Sequence, residues 1–318
     1  MKTEWTAKEI PSQEGRRVLI TGANSGIGWE AALELARHGA EIILPARTEA
    51  KADAAAARIR AEVPGARLIP EMLDLADLRS VHEFASRVVQ RYPGQSLDLL
   101  INNAGVMAVP TRELTVDGYE RQFATNYLGP FALTALLFWS IKPQPGSRIV
   151  TVASGVTNHG KIEFDNLQSE RRYSPMLQAY AQSKLADLVF QQELQRRLTA
   201  IGTPILSTGA HPGYAITNLQ VTGPGENIPF LMRLGMTILK PLASQDAAHG
   251  ALPTLFAATA PEAQPGGYYG PSGFQELKGH PVPAKITRAA KDVALARRLW
   301  TESERLTGVT FGALSEAA

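Results

Sequence analysis

The chain has 318 residues, 44% of them apolar and 19% charged, with no cysteine and a net charge of +2 from 32 basic and 30 acidic side chains. This excludes a disordered or collagen-like chain and a disulfide-stapled scaffold, and it allows a large buried core. So even a balance of charge also argues against a surface built for a polyanion, so nucleic acid is not an expected partner.

The N-terminal MKTEWTAKEIPSQEGRR is polar and mixed in charge, without the apolar centre of a signal peptide. From Arg17 onward, short apolar runs alternate with helical patterns. RVLIT (17–21) reads as a buried strand, followed by a glycine turn and a helix of small residues to Arg37. EIILPA (41–46) is the second strand, then an alanine-rich helix. RLIPEML (67–73) is the third, then a helix around Val81 to Gln90, and LDLLIN (97–102) is the fourth. A long helix is expected from Asp117 to Ile141. Its apolar part, Pro130 to Ile141, is the longest such stretch and too short to span a bilayer. No integral membrane segment is therefore expected, and a cytoplasmic location is. SRIVTVA (147–153), a helix from Pro175 to Thr199 and PILSTGA (204–210) complete the pattern.

Continuous apolar strands alternating with helices indicate an α/β fold, a doubly wound parallel sheet with helices on both faces. Residues 1–318 read as one domain with a core at 15–210. Beyond it come an apolar stretch punctuated by glycine and proline (214–243), a loop-like stretch (265–284) and a closing helix from Arg288 to Leu306.

Three clusters carry chemistry. Thr21-Gly22-Ala23-Asn24-Ser25-Gly26-Ile27-Gly28 joins the first strand to the first helix. Glycines there let the backbone approach a pyrophosphate, and the helix aims free N–H groups at it. The plainer reading is a turn that tightens strand–helix packing. Tyr180-Ala181-Gln182-Ser183-Lys184 places a phenol and an ammonium four residues apart on one helix face. The cation stabilises phenolate and makes proton transfer feasible near neutrality; the plainer reading is an exposed amphipathic helix. Ser154 ends the fifth strand, where its hydroxyl either holds a substrate carbonyl oxygen or caps the next turn. No His, Asp or Glu cluster has metal spacing, and no G-x-S-x-G hydrolase elbow occurs.

The T-G-x-x-x-G-I-G spacing, with Asn102-Asn103-Ala104-Gly105 after the fourth strand, resembles the short-chain dehydrogenase/reductase family over about residues 15 to 218. The resemblance implies a nicotinamide cofactor near Gly22, Asn24, Ser25, Gly26, Ile27, Gly28, Asn103, Ala104 and Gly105. It implies a catalytic tetrad of Asn126, Ser154, Tyr180 and Lys184, with Asn126 tying a water to the lysine. It places Asp74, beside Leu75, at the adenine, Pro212 and Gly213 at the carboxamide and Thr217 within reach of the cofactor. Tyr180 and Lys184 would also touch it. Asp74 and Asn126 keep plainer readings, as a helix cap and as a buried polar side chain.

The long separation of Ser154 from Tyr180, with FATNYLGPF, HPGYAITNL and YYGPSGFQELKG, is similar to the retinol dehydrogenase-like branch. This implies reduction of a lipophilic ketone or aldehyde, or oxidation of the alcohol, and a substrate lid within 211–284 that includes the apolar side chains of 228–242. A satellite core or a membrane-surface helix would use those side chains too. Ala46 stands where a carboxylate would bind the adenosine ribose, and Arg47 follows, so NADP(H) is preferred over NAD(H). His211 and His159 read as loop residues. Relatives pair through the two long helices, and the segment 155–179 is a candidate obstacle, so monomer and homodimer both stand. The rival readings are a nucleotide-binding sensor without turnover and a carbon–carbon double-bond reductase, the latter lacking its cysteine here.

Overall fold

The computed structural model describes residues 4–214 and 245–316. Their eight strands form one sheet in the order β3-β2-β1-β4-β5-β6-β7-β8. The strands are β1 (Arg17–Ile20), β2 (Glu41–Ala46), β3 (Arg67–Met72), β4 (Leu99–Asn102), β5 (Arg148–Val152), β6 (Leu206–Ala210), β7 (Tyr268–Pro271) and β8 (Pro281–Pro283). All neighbours run parallel except β7 and β8.

The apolar runs of β1, β2 and β4 need cover on both sides, and alternate side chains supply two cores. Leu19, Ile43 and Leu100 face one core, with side chains of α3 (Leu78–Arg91), α4 (Gly129–Leu137) and α5 (Ala181–Ala200). Val18, Ile20, Ile42 and Ile101 face the other, with α1 (Gly26–Arg37), α2 (Glu49–Glu62) and α6 (Ala247–Thr259). The sequence puts Val81, Phe84, Ala85 and Val88 on one stripe of α3, and all four are buried. Asp77 caps that helix by accepting from the Arg79 and Ser80 N–H groups.

The structure departs from the sequence expectations in several places, three of them large. The helix expected over 117–141 begins as a short turn at Arg121–Phe123, passes through a π-helical turn at Ala124–Leu128 and ends as a 3-10 turn at Phe138–Ser140. The stretch 265–284, expected as loop, contains β7 and β8; only four and three residues long and rich in Gly and Pro, they lack the apolar run by which strands are recognised. The third difference is α6, which carries Pro253 in its interior and was not anticipated. Much of 245–284 therefore extends the sheet and covers it. Residues 228–242, expected as part of a lid, lie outside the described residues, as does Thr217.

The closing helix is α7 (Val293–Thr307), which packs with Phe311 over α4 and α5. Phe131 and Phe190 from those helices meet Trp300 and Phe311 with ring centroids 5.2–6.1 Å apart. Arg197 lies over the Trp300 ring and donates to the Leu314 and Ser315 carbonyls, which fixes the tail.

On the opposite face, buried Arg148 of β5 donates to the Ala257 and Ala260 carbonyls at 2.9 and 2.7 Å, satisfying the end of α6. Burial pushes its pKa down to about 10. Arg148→Met nearly keeps the volume and removes the charged donor from each carbonyl, leaving Ala257 the Thr208 hydroxyl and Ala260 the Ala263 N–H. It is expected to cost about 1–3 kcal/mol, read as a lower urea midpoint with an unchanged slope.

Candidate active site

Chain order reverses direction between β1 and β4, and the C-terminal ends of parallel strands at such a point form a crevice. Two loops meet there. The Thr21 hydroxyl accepts from the Asn103 and Ala104 N–H groups at 3.1 and 3.0 Å, and Asn103 Nδ2 donates to the Thr21 carbonyl at 2.9 Å. Gly22 adopts φ +71°, and a Cβ on it would come within 2.8 Å of Ala104 Cα. One on Gly28 would run into Asn103 Nδ2 and the Gly22 carbonyl. The glycine turn and the Asn-Asn-Ala-Gly turn are thus pressed together, with glycine demanded by the close approach.

Ser25 occupies the N-cap of α1 without a side-chain capping bond. The helix start therefore offers backbone donors, and Asn24, Gly26 and Ile27 surround it. At the end of β2, Ala46 is buried and Arg47 is exposed, forming no ion pair among the described residues. Asp74 Oδ1 accepts from the Ala76 N–H at 2.9 Å, and Leu75 beside it is buried. Trp29, unexplained by the sequence, lies under the Arg58 guanidinium 4.3 Å from its ring centroid and joins α1 to α2.

Across the crevice, α5 delivers the phenol and the ammonium. Tyr180 ends a π-helical turn (Pro175–Tyr180), and Lys184 follows one helical turn later. The Lys184 Nζ donates to the Val152 carbonyl at 2.8 Å, which anchors it at the end of β5, two residues before Ser154. Ser154 caps the turn Gly155–His159 through a 3.4 Å bond from the Val156 N–H. This is the plainer of its two sequence readings, and it leaves the hydroxyl proton free to donate.

Asn126 lies in the other π-helical turn. It accepts from the Val106 N–H at 2.7 Å and donates to the Val106 carbonyl and the Ser183 Oγ, both at 2.9 Å. A Cβ on Gly105 would come within 3.2 Å of Asn126 Oδ1 and 3.6 Å of Lys184 Nζ. The structure thus gathers Gly105, Asn126 and Lys184 at one point, and the Asn126 side chain spends its bonds joining the loop after β4 to α5.

Two partners were missed in the sequence. Asp187 accepts from Lys184 Nζ at 2.9 Å, and both side chains are almost wholly buried (6% and 3% exposed). Helix spacing of three residues was the available signal. Burial works against the Lys184 charge, but Asp187 and Tyr180 outweigh it and hold the lysine pKa above its ordinary value. Glu276 is the other: its carboxylate meets His211 Nε2 at 2.8 Å. His211 is therefore a buried tether. Its Nδ1 accepts from the Gly213 N–H at 3.3 Å, beside Pro212. Tyr214 and Gln245, at the two edges of the described chain, are joined by a 3.0 Å bond from the Gln245 N–H to the Tyr214 carbonyl. Gln245 also donates to the Pro212 carbonyl.

Among the described residues, no His, Cys, Asp and Glu group of three or more could hold a metal, and no helix is long and apolar enough to cross a membrane.

The sequence matches the family model for short chain dehydrogenase over residues 16–224. Retinol dehydrogenase 14 of Homo sapiens is 39% identical over 310 residues, covering 93% of this chain and 87% of that protein. A solved structure of an uncharacterised protein from Mycobacterium paratuberculosis aligns with a TM-score of 0.78 at 41% identity, covering 97% of this chain and 99% of the other. A short chain dehydrogenase from Burkholderia cenocepacia J2315 in complex with NADP aligns with a TM-score of 0.61 at 25% identity, covering 80% and 96%. Family model, relatives and fold agree: this chain belongs to the short-chain dehydrogenase family of oxidoreductases.

Proposed function

We propose that this protein uses NADP(H), with NAD(H) as the poorer alternative, to interconvert a lipophilic aldehyde or ketone with its alcohol. The observation that carries the reading is the buried Lys184 ammonium, fixed on the Val152 carbonyl two residues before Ser154 and set one helical turn after Tyr180.

The donor set suits a nicotinamide dinucleotide. Gly22, Asn24, Ser25, Gly26, Ile27 and Gly28 would hold its pyrophosphate at the uncapped start of α1. Asp74 and Leu75 would border the adenine, and Asn103, Ala104 and Gly105 the cofactor's middle. Pro212, Gly213 and Thr217 would border the nicotinamide end. An apolar Ala46 followed by an unpaired, exposed Arg47 favours a 2′-phosphate over a bare ribose. When bound, the dinucleotide supplies or accepts the hydride.

The chain's own part is positional and protonic. Ser154 and Tyr180 hydrogen-bond the substrate oxygen. In reduction Tyr180 donates its proton to the developing alkoxide; in oxidation its phenolate accepts one. Lys184 stabilises that phenolate, and Asn126 keeps α5 registered against the loop after β4. A lipophilic substrate is favoured by the retinol in the name of the human relative and by the apolar residues within 228–242.

We further propose that the protein is a monomer. The helices through which relatives pair, here α4 and α5, are covered by α7 and Phe311. The segment 155–179, the obstacle suggested by sequence, lies against the same helices: the Glu163 N–H donates to Gln182 Oε1 at 2.8 Å, Gln182 Nε2 donates to the Leu167 carbonyl at 3.2 Å, and Arg298 of α7 lies over the Phe164 ring.

Tyr180→Phe is expected to lower kcat by about 10²–10⁴-fold with aldehydes of graded chain length, while NADPH fluorescence titration shows unchanged cofactor affinity. NADPH should exceed NADH in kcat/KM, and Arg47→Ser should shrink that ratio by about tenfold through the NADPH term; an NADH advantage in the parent enzyme defeats the cofactor reading. Sedimentation equilibrium should give one 34.3 kDa chain.

A further inference from the structure

The family's tyrosine and lysine account for proton transfer but not for a carboxylate buried against the lysine. Lys184 has no described water-facing route for its charge: its side chain is 6% exposed, and its bonded partners are the Val152 carbonyl and Asp187. Asp187 is 3% exposed and sits in SKLADLVF, where Leu185, Ala186, Leu188 and Val189 are all core residues. A buried carboxylate in such a run is costly unless it is paired, and Lys184 is the partner.

We propose that Asp187 is a positioning residue that acts through Lys184: it is the counter-ion that keeps the ammonium charged and fixed on the Val152 carbonyl. The proposal rests on the reading of Tyr180 and Lys184 as the proton-transfer pair. A carbonyl alone pairs the ammonium with a dipole. The carboxylate supplies a full opposite charge from the same helix, three residues on, so it moves with the lysine.

The surrounding ionisable groups are accounted for. They are Lys184 on α5 and Tyr180 at the end of the π-helical turn before it. From the π-helical turn before α4 comes Tyr127, and from β7 comes Tyr268. The Tyr127 hydroxyl is bonded to Ser303 Oγ at 2.7 Å. Burial raises both phenols, so they stay neutral over the working range. The pair's charge is therefore set within the pair.

Burial also pushes the Asp187 carboxyl up to about 7, against the pull of Lys184. Below that pH the carboxyl takes a proton and the pairing weakens. Above it the carboxylate is ionised, in the range where a buried ammonium would otherwise give up its proton.

The test is read first in the cofactor-free protein. With ¹³C-labelled lysine, the Lys184 Cε resonance is assigned by its loss in Lys184→Arg and followed against pH. In wild type it should show a small step near pH 7 as Asp187 titrates, with the main lysine transition above that of a free lysine. In Asp187→Asn the small step should vanish and the main transition should fall by about one pH unit or more; Asp187→Glu should restore it. The kcat/KM profile of Asp187→Asn should gain an alkaline fall at the same lowered pH. An unchanged Lys184 transition in Asp187→Asn overturns the proposal. If that variant does not fold, a wild-type Lys184 transition at or below that of a free lysine overturns it instead. A wild type that turns over no aldehyde, ketone or alcohol would defeat the functional reading while leaving the lysine titration to decide the counter-ion role.

Discussion

A single buried ammonium ties the parts of this molecule together. Lys184 is reached by β5 through the Val152 carbonyl, by its own helix through Asp187, and lies beside Gly105 from the loop after β4 and Asn126 from the π-helical turn before α4. Each element must arrive at the right depth for those contacts to coincide. The two cores below the crevice secure that depth, because sheets and helices packed on both faces do not slide without opening cavities. The charge is costly to bury, and the molecule offsets the cost locally with one carbonyl and one carboxylate.

The first half of the fold could be read from sequence because its signals are local and redundant. Val18, Leu19 and Ile20 form an uninterrupted apolar run, and Val81, Phe84, Ala85 and Val88 repeat at helical spacing. The glycine turn and the Asn-Asn-Ala-Gly turn were legible as motifs. Their connection through the Thr21 hydroxyl was not, since a bond between positions 21 and 103 leaves no spacing to count. The same holds for His211 and Glu276, which are 65 positions apart. β7 and β8 escaped notice for a different reason: their residues are set by the neighbouring strand and not by a hydrophobic period. The two π-helical turns were equally invisible, because one extra residue in a turn leaves the pattern around it intact. Both fall at candidate site residues, Asn126 and Tyr180, where such turns re-aim side chains.

The C-terminal quarter has a structural role that composition alone conceals. Trp300 and Phe311 come from separate elements and close over Phe131 and Phe190 with ring geometries that mix tilted, edge-on and stacked contacts. Arg197 lies against Trp300 and holds the Leu314 and Ser315 carbonyls. The helices that carry Asn126 and Lys184 on their inner sides are thereby braced from outside.

The chain leaves the described body at Tyr214 and returns at Gln245, and those two residues are hydrogen-bonded to each other. Gln245 grips Pro212 on one side and the Gly279 N–H on the other. Departure and return are thus stitched into the same knot beside β6 and β8. The two ends of the interval 215–244 are therefore clasped to each other, and both answer to one glutamine.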